Sequence, residues 1–190
     1  MKRLVASLAL AASLVASMEP ASAQTSRFKG WAAISKELST RIAPRDAPLD
    51  LDRFLPAEDM EDLLGTWSTF GTEHNFKNGL PNPVNVAIWH VALSGFAQSV
   101  AGSCDKAQLQ FHPRFSAILA KLCTWPAAEA RSEAVLLDYW WSIMGHNAPE
   151  EEFVAWRDFI TGTYQGRPAH ETIADMTLAI AMNPYFLLDK

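Results

Sequence analysis

Few side chains of this 190-residue chain are arranged in a way that performs chemistry. The histidines are His74, His90, His112, His146 and His170, and none is spaced as His-Glu-x-x-His or another strong ligand pattern, so no metal is expected. Glu73-His74-Asn75, close to Asn78-Gly79, is the best polar candidate, because a loop of that composition lets backbone and side chains converge on a ligand. His146 stands near Glu150, Glu151 and Glu152, which could together hold a cation; a solvated acidic first turn of a helix accounts for the same residues more simply. Glu171 and Asp175 share one helix face and would divide acid and base roles only if burial separated their pKa values. Exposed acids at that spacing are common. His90, beside Trp89 in the most apolar stretch, reads as a buried neutral imidazole with one hydrogen-bond partner. No Gly-x-Ser-x-Gly sequence and no glycine-rich phosphate loop occurs, and neither cysteine has the neighbours of a catalytic nucleophile. The residues assemble no catalytic set and imply no cofactor.

The tryptophans say more. They are Trp31, Trp67, Trp89, Trp125, Trp140, Trp141 and Trp156. Trp140 and Trp141 are consecutive, so on a helix they point about 100° apart and cannot share one buried face. At least one is expected near the surface, where an indole serves as an anchor for a partner protein or as the wall of an apolar ligand site. Trp140, Trp141 and Trp89, with Glu73 and His74, are therefore the binding candidates. Phe153, Trp156 and Phe159 form a helical stripe with Ile160 beside it, and core packing is the expected role.

Cys104 and Cys123 are the only cysteines. Their separation excludes a Cys-x-x-Cys redox motif, and no Cys-x-x-Cys-His haem attachment or zinc spacing is present. An even count in an exported chain favours a disulfide. Export is read from the first residues: Met1-Lys2-Arg3, an apolar run from Leu4 to Ser17, then Ala21-Ser22-Ala23 before Gln24, the three parts of a secretory signal peptide. The run is shorter than the roughly 20 residues that span a bilayer. Residues 1–23 are thus expected to be removed, leaving 24–190 as one domain with no stable membrane span, in a periplasm or secreted. The whole chain carries 16 basic and 21 acidic side chains and is 49% apolar. That composition excludes a disordered chain, and its acidic balance excludes a nucleic-acid binder.

The hydrophobic period is helical throughout, so the expected fold is all-α, a compact bundle of six to seven helices with one disulfide. Phe28 to Arg41 reads as an amphipathic helix, followed to Pro56 by a proline-rich connection; residues 24–56 should pack on the rest. Further helices are expected over 57–69, over 84–100 after an Asn82 cap, and from Pro113 to Cys123, with a loop over 71–83. The helix over 84–100 is apolar on nearly all sides, which places it at the centre of a bundle. Trp125-Pro126 is read as the start of a helix ending at Gly145, and Asn147-Ala148-Pro149-Glu150 as a capping box opening one to about Ile160. A last helix should run from Pro168 through Met182, broken by Asn183-Pro184.

The last third of the chain resembles a known pattern. Trp140-Trp141-Ser142-Ile143-Met144-Gly145 leads into Asn147-Ala148-Pro149-Glu150-Glu151-Glu152, and further on comes Ile180-Ala181-Met182-Asn183-Pro184-Tyr185-Phe186. This is similar to the aromatic-x-x-Leu-Leu-Gly-Arg-x-Pro-x-x-Glu and Ser-Pro-x-Phe segments of uncharacterised helical modules in bacterial exported proteins, including those attached to c-type cytochrome domains. His146 stands where the pattern has Arg, and Asn183 where it has Ser. The resemblance implies a helical fold and an exported location, and no chemistry. With residues and resemblance taken together, the expectation is a non-catalytic exported helical protein, binding another exported protein as an accessory subunit of an extracytoplasmic assembly. The alternative is a periplasmic small-ligand carrier or enzyme with an aromatic-lined pocket, using His74, Glu73 or His90 as polar groups.

Overall fold

The computed structural model describes residues 27–55, 83–106, 109–145 and 149–189. The signal segment, the expected helix over 57–69, the expected loop from 71 as far as residue 82 with Glu73 and His74, the Asn82 cap, and 146–148 with His146 lie outside the described residues, while Pro83, expected at the end of that loop, opens a helix. What is described is helical: α1 (Trp31–Ile42), α2 (Pro83–Gly102), α3 (Pro113–Leu122), α4 (Glu133–Met144), α5 (Glu150–Thr163), α6 (Ala169–Ala181) and the single turn α7 (Pro184–Leu187). A 3-10 turn at Asp52–Phe54 follows α1, and a two-residue antiparallel ladder pairs β1 (Arg27–Phe28) with β2 (Leu188–Asp189).

Local chemistry sets most boundaries. His112 precedes α3 and its Nδ1 accepts the Arg114 amide at 3.2 Å, while Pro113 fills the first turn where no amide partner is needed. Asn183 does the same for α7, its side-chain oxygen accepting the Tyr185 amide ahead of Pro184. Gly145 ends α4 at φ 73°, a conformation that a Cβ disfavours, and its amide donates to the Trp141 carbonyl. The disulfide Cys104–Cys123 forms, with 5.5 Å between Cα atoms, and staples the end of α2 to the end of α3.

Some helix expectations fail. α5 takes Pro149 as its N-cap with no side-chain bond, so Glu150 starts the helix instead of closing a capping box. α4 begins at Glu133 rather than at Trp125-Pro126. Trp125 is buried and its indole N–H donates to the Tyr164 carbonyl at 2.8 Å, so this segment is spent in short turns such as Trp125 N–H to Leu122 and Ser132 N–H to Glu129. In α2 the apolar character is not matched by burial on all sides. Trp89, Leu93, Phe96 and Val100 are buried, but Ala87, His90, Val91 and Gln98 are exposed, so His90 is not the enclosed imidazole expected. Alanine and valine leave the pattern ambiguous because they are tolerated on either side of a helix.

α2 packs most extensively on α6, and α4 sits against α3, α6 and α1. A single apolar core joins them, including Leu93, Phe96, Leu136, Tyr139, Met176 and Ile180. At one end of this core lies an ionic cluster. Lys29 is only 4% exposed, and its ammonium is 3.0 Å from Glu37. Glu37 also receives Arg41 at 2.9 Å, one turn along α1. Arg41 in turn donates to the Ile143 carbonyl at 2.7 Å, placing a cation at the negative end of α4. Both cations face the ring of Phe186, at 5.1 and 5.6 Å from its centroid. Burial lowers the Arg41 pKa, an effect that the Glu37 carboxylate opposes. Gly145 completes the arrangement, since a Cβ there would lie 2.7 Å from the Arg41 guanidinium carbon.

Glu37→Ala, which leaves the Lys29 ammonium buried alone, should cost about 2–3 kcal/mol, near the low end for a broken buried pair because Glu37 keeps partial exposure. Gly145→Ala should cost about 2 kcal/mol through strain and the displaced guanidinium. Urea midpoints read both, against the exposed neighbour Lys36→Ala, which should stay within about 0.5 kcal/mol of the parent.

Candidate binding surface

α4 and α5 meet through aromatic rings. Trp140 is fully buried, with its ring centroid 5.3 Å from Trp156 and 6.1 Å from Phe153. The indole N–H groups of Trp140 and Trp156 are buried without a hydrogen-bond partner among the described residues. These rings earn their place by apolar contact rather than by polar bonding. Trp141, one residue on, points about 100° away and is only partly buried, beside Leu137 one turn earlier. The tandem pair therefore divides its labour: Trp140 has no surface to offer, and Trp141 sits at the rim. Ion pairs fix α4 laterally, Arg157 to Glu133 at 2.7 Å from α5 and Arg114 to Asp138 at 3.0 Å from α3.

Phe153 and Trp156 are buried as expected, but Phe159 is 57% exposed and does not join them. The reason is helical geometry. Each three-residue step falls about 60° short of a full turn, so the stripe drifts around the helix, and Ile160 rather than Phe159 returns to the face of Phe153. Phe159 is instead edge-on to Tyr164 at 5.9 Å, and the Arg167 guanidinium lies 4.9 Å from the Tyr164 ring centre. Burial, followed by the Asp175 carboxylate, raises the Tyr164 pKa. This aromatic surface was missed in the sequence; counting the drift of the stripe would have found it.

The other candidates are dispersed. Trp89 is buried on α2. Asp175 pairs with Arg167 at 3.6 Å while Glu171 lies 4.0 Å from the exposed His170, so the two acids serve different neighbours. Among the described residues no group of three or more His, Cys, Asp or Glu side chains could hold a metal ion. Two of the hollows bordered by described residues matter here. One, of about 390 Å³, is lined by Gln98, Ser99, Asp105 and His170 together with Ala101 and Gly102; the other, of about 420 Å³, lies over the disulfide.

A second aromatic line joins α3 to α4. Phe111 meets Phe115 edge-on at 5.0 Å, Phe115 stacks on Tyr139 at 5.6 Å, and the Tyr139 hydroxyl bonds to Thr177. Thr177 donates to the Ile173 carbonyl, so Tyr139 is the donor to Thr177. Burial holds the Tyr139 phenol far above its ordinary pKa.

Set against protein families, curated proteins and solved structures, the chain matches none.

Trp140→Ala should cost about 4 kcal/mol and Trp141→Ala about 1 kcal/mol, measured by denaturant unfolding, because only the first removes a fully enclosed ring. Tyr139 sets an alkaline limit. Above pH 10.0 the unfolded phenol releases its proton while the native one keeps it, so the folded state binds more protons and stability falls as pH rises. Unfolding of Tyr139→Phe followed from pH 8 to 11 should show a shallower fall than the parent, after a loss of about 1 kcal/mol at neutral pH for the hydrogen bond.

Proposed function

We propose that this chain is a non-catalytic exported helical protein that binds another exported protein, as an accessory subunit of a larger extracytoplasmic assembly. The observation that carries the reading is Phe159, a large apolar ring 57% exposed on α5 between buried aromatic neighbours. A rigid ring held edge-on by Tyr164 loses little freedom on docking, which suits an interface anchor. Trp141, half-buried on α4, is a separate aromatic position toward the other end of the α4–α5 seam. Export is supported by the Lys2-Arg3, apolar-run and Ala21-Ser22-Ala23 sequence and by the Cys104–Cys123 bond, which an oxidising compartment preserves. Among the described residues no helix is long and apolar enough to cross a membrane. The C-terminal resemblance to helical modules of bacterial exported proteins agrees with that location.

Native pull-down of the exported protein followed by mass spectrometry tests this. A chain beginning at Gln24 and carrying one exported protein in stoichiometric amount is the expected result. Phe159→Glu should weaken that capture about tenfold or more, the loss of one interface anchor, with melting unchanged because the ring is exposed. A monodisperse protein that retains a small molecule, or turns over a substrate, would establish the carrier or enzyme reading instead.

A further inference from the structure

The hollow of about 420 Å³ has the disulfide in its wall. Leu109, Phe111 and Leu119 supply its apolar sides, Ala120 lies at its margin, and Cys104 and Cys123 both line it. Neither half-cystine is fully buried. Exposed disulfides are the labile or catalytic ones, and here both half-cystines, each half-buried, line a hollow large enough for an aromatic group. We propose that this hollow is a thiol–disulfide exchange site, at which the folded protein reacts with a dithiol whose attacking cysteine is flanked by an apolar or aromatic side chain.

The geometry supports a complete step. A thiolate seated in the hollow attacks one of the two sulfurs and bonds to it. The bond between Cys104 and Cys123 breaks, and the departing sulfur leaves with the bonding pair and takes a proton from water. The second thiolate of the same carrier then attacks the carrier's own sulfur in the mixed disulfide. The carrier ends as a disulfide and the protein as two thiols, with two electrons transferred from the one to the other. Phe111 links the reaction to the core, because it contacts Phe115, which stacks on Tyr139. Opening the staple releases the end of α3 from the end of α2. The inference stands apart from the docking role assigned to Phe159, since the two sites share no residue.

The test uses the folded mature chain without denaturant and two monothiols compared at equal thiolate concentration, benzyl mercaptan and 2-mercaptoethanol. Benzyl mercaptan should open the bond about tenfold faster, the gain from partly burying its ring. Ala120→Phe, which fills the hollow from an exposed helix position, should abolish that preference, and Ala117→Phe, exposed on the same helix but outside the hollow, should keep it. Circular dichroism confirms that both variants are folded. Equal rates for the two thiols on the parent protein, or reduction only in denaturant, would overturn the proposal without reference to either variant. Retention of the preference in Ala120→Phe would overturn it as well.

Discussion

Glu37 is shared between two cations, and three separate parts of the chain meet through it. Lys29 comes from the segment before α1, Arg41 ends α1, and the Ile143 carbonyl that Arg41 caps belongs to α4. Phe186 closes the cluster from the far end of the chain. A nearly buried ammonium is costly unless its carboxylate partner is held in place, and the carboxylate here is held by a second cation that is itself fixed to a helix terminus. The Lys29 amide adds a backbone bond to the Leu187 carbonyl at 2.8 Å, so the same residue is tied by main chain and side chain to two different partners. The arrangement specifies how α1 lies across the end of α4 more than it adds net stability, since buried ion pairs gain little over apolar packing.

The rest of the interior is apolar and dominated by rings. Trp140, Trp156 and Phe153 weld α4 to α5, while Phe111, Phe115 and Tyr139 connect α3 to α4 and, through Thr177, to α6. α4 thus has an aromatic contact on each flank and a capped C-terminus. The surface ion pairs Arg157–Glu133 and Arg114–Asp138 follow these same seams but are exposed on at least one side, where such pairs contribute about 1 kcal/mol or less. Ring packing, not surface charge, sets the helix arrangement.

What the sequence made legible was whatever the backbone decides locally. Gly145, Pro113, Asn183-Pro184 and the period of α6 each impose a conformation on a few neighbouring residues, and the helices stop and start there. The cysteine pairing was legible because only one partner exists for each sulfur. What was not legible depends on residues distant in sequence. The turns after Trp125 are organised by the Tyr164 carbonyl, and no local pattern records that bond. His90 faces outward because the buried line of α2 runs through Trp89 and Leu93, a choice that alanine and valine on the other faces leave open. Of the candidate surface, the division between Trp140 and Trp141 followed from helix geometry, whereas Phe159 was hidden by treating a three-residue repeat as a straight stripe.

The two-residue ladder between Arg27–Phe28 and Leu188–Asp189 has a consequence for how the molecule comes together. A polypeptide emerges amino end first, so Lys29 and its neighbours wait through the synthesis of every helix before Phe186 and Leu187 arrive to receive them. Until then α1 has no lid on its charged end, and closure of the structure is a late, long-range event rather than a local one. The fold locks only when the segment before α1 and the segment after α7 clasp.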